Sequence, residues 1–135
     1  CSSKHVTELV QWIQQQDWYA NTTIVLAGDH KSMDNDWFKN IEDSGYDRKV
    51  YYTIVNPAIS PETQNSRTVS TYDLYPTTVA SLGITFDSPR LGLGTNLFTD
   101  TPTVVEEIGY KKLNKQTMMH SNYYDKYILY GKSKE

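Results

Sequence analysis

Apolar residues recur along the start of the chain at a helical step. Val6, Leu9, Val10 and Ile13 fall at i, i+3, i+4 and i+7 behind Ser2 and Ser3, which are N-cap types. That spacing predicts an amphipathic helix running to about Gln16. "DWYANTT" then reads as a turn-like connector. Thr22 to Ala27 is short, rich in β-branched residues and apolar at its end, the pattern of a buried strand, and Gly28 ends it. Helix, connector and buried strand together form the αβ half of a doubly wound α/β unit.

From Lys31 to Arg48 the pattern turns polar and reads as a loop, with Trp37 and Phe38 expected to pin it down. "VYYTIV", Val50 to Val55, is a second strand that Asn56-Pro57 stops, and Asn56 to Ser66 is loop-like. Asp73 is placed to cap a helix whose first turn holds Pro76, where a missing N–H costs little. Tyr75, Val79 and Leu82 fall on one face of it, with Gly83 as the stop. "SPRLGLGTNLF", Ser88 to Phe98, is apolar without a helical period and reads as an ordered loop or strand-edge segment. Thr101-Pro102 opens a further helix carrying Val104, Val105 and Ile108, closed by Gly109. One or two short helices fill Lys111 to Tyr130. No internal repeat or low-complexity segment interrupts this order.

Composition narrows the reading. The 135 residues, 38 % hydrophobic, suit one domain with a core of its own. Thirteen Lys+Arg against sixteen Asp+Glu give a net charge of −3 without a basic block, which argues against nucleic acid as a partner. The longest purely aliphatic run, Ile24 to Ala27, is far short of the roughly 20 apolar residues of a membrane span. The single cysteine, Cys1, excludes an internal disulfide and a cysteine-based zinc site. With no initiator Met and no signal peptide, the chain need not be a whole protein. Cys1-Ser2-Ser3 can be read as a processed lipoprotein start, but helical periodicity follows almost at once and leaves no tether, so Cys1 is expected to begin a fragment. Of the eleven tyrosines, Tyr123, Tyr124, Tyr127 and Tyr130 crowd the end. They are expected to dock the C-terminal segment onto the body, with sugar stacking as the alternative.

The candidate chemistry lies in "NTTIVLAGDHKSM", Asn21 to Met33. Asp29 and His30 directly follow a buried strand, and in open α/β sheets ligands gather at the carboxyl ends of strands. A carboxylate and an imidazole suit a divalent cation, although two further ligands would be needed to close a four-coordinate site. On residue type alone Asp29 fits a turn cap equally well. His5 and His120 read as surface residues.

Three segments in order carry a family resemblance. "NTTIVLAGDHKSM" resembles the "NTxIVxxGDHxxM" signature of the alkaline-phosphatase superfamily. "STYDLYPTTVASLGI" resembles its "DxxPTxxxxLGI" helix. "RLGLGTNLF" resembles the "RLGLGxNLF" segment of sulfatase-like, membrane-anchored phosphoglycerol transferases. Together they span about residues 1–100, leaving 101–135 as a helical tail, and the helix before the metal strand is another family feature. The resemblance implies an α/β fold: the C-terminal portion of an alkaline-phosphatase/sulfatase-like domain, a few strands flanked by helices. The Lys31-Ser32-Met33 that follows the pair is closer to the phosphoglycerol transferases than to arylsulfatases, although Lys31 stands where those often have Leu.

By that resemblance, Asp29 and His30 match a metal-binding pair for Mn²⁺, with Zn²⁺, Mg²⁺ or Ca²⁺ as alternatives. The implied activity is transfer of phosphoglycerol from a phosphatidylglycerol-type lipid to a surface glycan or teichoic-acid-type polymer. The setting is the extracytoplasmic face of a bacterial membrane, anchored by upstream transmembrane helices. The nucleophile and a glutamate ligand are expected upstream of this chain, which alone would be inactive and would need the remainder of the catalytic domain as its partner. Lys31 and Arg90 are candidate phosphate contacts. For each the competing reading is structural: a solvated lysine, and an arginine that holds the glycine-bearing loop. Two other functions compete, a sulfatase or phosphodiesterase with the same metal pair, and a non-catalytic glycan-binding domain in which Asp29 only caps a turn.

Overall fold

The computed structural model of the chain describes residues 2–40, 45, 49–62 and 66–131. Cys1 and most of the second half of the Lys31–Arg48 loop lie outside them. Helix α1 spans Ser2–Gln14, so Ser2 and Ser3 sit inside its first turn. Strand β1 is Ile24–Ala27 and strand β2 is Tyr52–Val55. The two pair antiparallel, Ile24 opposite Val55 and Ala27 opposite Tyr52. A doubly wound unit needs a parallel neighbour for β1, and none is present among the described residues. Parallel pairing needs a crossover, usually helical, of a dozen or more residues. Among its described residues, the link between β1 and β2 holds the single helix α2, Asn35–Lys39, too short to carry the chain back along the sheet.

Helix α2 was not expected in the polar loop. Asp34 caps it, accepting the Trp37 backbone N–H at 3.0 Å. Trp37 stacks edge-on against Phe38 but stays half exposed, so it does not pin the loop to the body.

The better-packed part lies C-terminal. Helix α3, Leu74–Ser81, follows a 3₁₀ turn at Thr71–Asp73. A small hairpin follows, β3 at Arg90–Leu91 and β4 at Gly94–Thr95, and then α4, Val104–Ile108, and α5, Tyr110–Thr117. A π-helical turn at Tyr124–Leu129 completes the described chain. Among the described residues, the buried apolar side chains include Ile24, Pro76, Ala80, Phe98, Val105 and Leu113.

The face that α3 buries is not the one that carries Tyr75, Val79 and Leu82. Pro76, Thr77, Ala80 and Ser81 turn inward, while Tyr75 and Leu82 are exposed. Small residues are needed there because β4 packs directly on the helix: Leu97 N–H donates to Thr77 Oγ1 at 3.0 Å, and Thr77 Oγ1 reaches the Thr95 carbonyl at 3.3 Å. Gly83 stops the helix as expected, with φ +81 and its N–H on the Ala80 carbonyl at 2.9 Å.

Asp73 stands at the N-cap position of α3, as expected, but its side chain makes no capping bond to that helix. It closes a capping box from the other side: its Oδ2 accepts the Ser70 backbone N–H at 2.7 Å and the Ser70 hydroxyl at 3.0 Å. Its Oδ1 accepts the Thr95 N–H at 2.8 Å, so one fully buried carboxylate fastens β4 to the start of α3.

A second box, Thr103 with Glu106, opens α4. Glu106 also accepts the Thr68 N–H at 3.0 Å and pairs with Arg67 at 2.8 Å. Arg67, in turn, donates to the carbonyls of Thr99 and Thr101. The hydrogen bond from Arg67 leads the causes that hold the Glu106 carboxyl at about 2, below the usual carboxylate range. Because the folded value is depressed, the stabilisation is complete above the unfolded value and is lost as pH falls toward 2. Discounted for partial exposure, it amounts to about 2 kcal/mol at neutral pH. Glu106→Gln is therefore expected to lower stability at pH 7 and to flatten the loss between pH 5 and 2, as urea titrations at both pH values would show. Equal losses at pH 7 and pH 2.5 would remove this assignment.

Much apolar surface is left uncovered. The chain exposes 10600 Å², against about 7200 Å² for a compact protein of 15.5 kDa. The apolar stripe of α1 is part of this: Val6, Leu9 and Trp12 are exposed, and no α1 residue is buried. The C-terminal tyrosines are another part. Tyr123, Tyr124 and Tyr130 are more than half exposed, which corrects the expectation that they dock the tail.

Candidate metal centre at the end of the first strand

Strand β1 delivers Asp29 and His30 to the rim of its sheet. The Gly28 N–H donates to the Tyr51 carbonyl at 2.8 Å, the last bond before the chain leaves the sheet. A Cβ on Gly28 would approach Val50 Cγ1 to 2.9 Å, so glycine lets the two strands close at this point. Asn56, just past β2, braces the entry to β1: its side-chain amide donates to the carbonyls of Tyr19 and Thr22 at 3.0 and 2.9 Å. Asn56 takes φ 55, a conformation that asparagine tolerates better than most residues.

Beyond Gly28 the two side chains converge. Asp29 Oδ1 accepts the His30 backbone N–H at 2.9 Å. His30 Nδ1 lies 2.8 Å from the Lys31 carbonyl, which can only accept, so Nδ1 carries the proton of this bond. In the neutral ring the lone pair then belongs to Nε2, which stands 3.4 Å from Asp29 Oδ2. Two ligands about 2.1 Å from an ion at the tetrahedral angle are separated by about 3.4 Å. The spacing and the imidazole tautomer both suit a divalent cation. The side chains are open to the surroundings, 87 % exposed for Asp29 and 55 % for His30.

The pair offers two donor groups and no more. Among the described residues no group of three or more His, Cys, Asp or Glu is placed to hold an ion. The other two histidines also face carboxylates, but within single segments: His5 with Glu8 at 3.3 Å on α1, and His120 with Asp125 at 2.5 Å in the tail.

Lys31 contributes its carbonyl to the pair, while its side chain is exposed. Arg90 is not brought to the pair. It lies on β3, where its guanidinium meets Glu107 at 2.6 Å and the Pro102 carbonyl at 2.6 Å, tying the hairpin to the start of α4. The structural role weighed for it is what the geometry displays. Tyr52, opposite Ala27, buries its hydroxyl without a well-formed hydrogen bond. Burial pushes this phenol above its ordinary value, the Thr78 side chain pulls it partly back, and the charge of Asp73 adds to the rise. A shallow cavity of about 290 Å³ among Ile59, Ile84, Phe86 and Asn96 has Asp87 as its one titratable group and takes no part in the pair.

No family model, curated protein or solved structure matches the chain.

Proposed function

We propose that Asp29 and His30 supply half of the divalent-metal site of a phosphoryl-transfer enzyme of the alkaline-phosphatase superfamily, one that moves phosphoglycerol from a lipid to a surface glycan. The observation that carries this reading is the pinned imidazole: the Lys31 carbonyl fixes Nδ1–H and leaves Nε2 beside the Asp29 carboxylate at the carboxyl end of a strand. A carbonyl partner on the second ring nitrogen is the usual device that orients a ligating histidine. The three motif segments, in family order, support the choice of reaction.

When bound, the metal would activate the attacking hydroxyl and offset charge on the transferring phosphoryl group. In this chain, Asp29 would lend negative charge and His30 a neutral nitrogen donor. The uncovered apolar stripe of α1 suits a domain completed by further polypeptide, which would bring the nucleophile and the missing ligands. The test uses the protein containing the complete domain, with Mn²⁺ and a phosphatidylglycerol analogue. His30→Ala is expected to reduce glycerol phosphate release at least a hundredfold, as loss of a metal ligand does, with wild-type thermal unfolding in the absence of metal. Turnover within a few fold of wild type would refute the proposal.

A further inference from the structure

We propose that the C-terminal segment, Tyr110 to Tyr130, is a docking surface for an anionic lipid bilayer. The charge of the chain is divided unevenly. Residues 110–135 carry six lysines against Asp125 and Glu135, a net +4, while residues 1–109 carry seven cations against fourteen carboxylates, a net −7. Such asymmetry marks a segment with a charged partner of its own.

The same segment presents apolar side chains outward. Met118, Met119, Tyr124, Ile128, Leu129 and Tyr130 are each more than half exposed. Leu113 is buried and holds α5 to the body, so Lys111 and Lys115, each about 160° around the helix from it, face away. Lys126 lies over the Tyr127 ring at 4.9 Å, an ammonium and an aromatic face held side by side. Tyrosines, aliphatics and lysines exposed together have the chemistry of the interfacial layer of a membrane: rings at headgroup level, aliphatics just below, ammonium groups on lipid phosphates. The mode is docking, since no described helix is long and apolar enough to cross a membrane. The surface does not depend on Asp29 and His30, and its failure would leave the metal-site reading untouched.

The test is sedimentation of the chain with vesicles of phosphatidylcholine alone or mixed with phosphatidylglycerol. Binding is expected to the mixed vesicles and to weaken as salt is raised. Replacing Lys111, Lys112, Lys115 and Lys126 by Gln should weaken it about fivefold per lysine. Ile128→Ser with Leu129→Ser should weaken it further, each variant keeping the wild-type circular dichroism. Binding that ignores phosphatidylglycerol, or that survives the lysine replacements, overturns the proposal. So does a dimer in gel filtration that Ile128→Ser with Leu129→Ser dissolves, since a second copy would then be the occupant.

Discussion

Asp73→Ala is expected to cost about 3–5 kcal/mol, because it strands the buried Thr95 N–H and removes the partner of two part-buried Ser70 donors. The carboxylate is fully buried and receives Ser70 N–H, Ser70 Oγ–H and Thr95 N–H. Removing it unties β4 from α3 and opens the 3₁₀ turn at once. Total stabilities of domains run at about 5–15 kcal/mol, so this one change takes a large share. Asp73→Asn separates the causes: its amide oxygen can keep one side of the network while its NH₂ faces donors on the other, so an intermediate loss is expected. Urea denaturation followed by circular dichroism reads both. A loss below 1 kcal/mol for Asp73→Ala would show that the network is not what holds the hairpin.

Gly94→Ala should rival it. A Cβ at Gly94 would run into the Tyr72 carbonyl oxygen, with the Tyr72 carbonyl carbon at 2.8 Å and Pro76 Cγ at 3.0 Å. Two of these three atoms are backbone, so no side chain can swing aside, and either β4 or the 3₁₀ turn has to move. Overpacking of this kind costs about 1–3 kcal/mol, and more when the obstacle is main chain. The outcome is read from the same urea curves, where a variant within 0.5 kcal/mol of wild type would mean that the turn yields freely.

Where the sequence spoke through glycine, proline and apolar period, it was legible. Strand β1 and its end at Gly28, the stop of α3 at Gly83, the ordered Ser88–Phe98 segment and the closure of α4 at Gly109 all appear as expected. Partner choice was not legible. The apolar run Ile24–Ala27 announces a strand but not the direction of its neighbour, and β2 arrives antiparallel. In α3 the larger residues share one face, yet close approach of β4 buries Thr77, Ala80 and Ser81 instead. Both capping boxes, Ser70-x-x-Asp73 and Thr103-x-x-Glu106, have a spacing that a sequence can display, and the second starts α4 at Thr103 rather than at Thr101-Pro102.

Of the candidate site, the sequence located Asp29 and His30 but could not supply the tautomer. The orienting partner is a backbone carbonyl, Lys31 O, and no side-chain pattern encodes it. Arg90 looked equally suited to phosphate and to structure until Glu107, seventeen positions on, was seen to hold it.

The most direct test of the central claim is a Mn²⁺ titration of the chain followed by NMR of its three histidine rings, since paramagnetic broadening reports even weak binding. His5 and His120 are internal controls, each beside a carboxylate but in ordinary surface positions. The His30 ring signals are expected to broaden at Mn²⁺ concentrations that leave the other two sharp, and Asp29→Asn is expected to remove this preference. Three rings broadening together would show that Asp29 and His30 form a turn and nothing more.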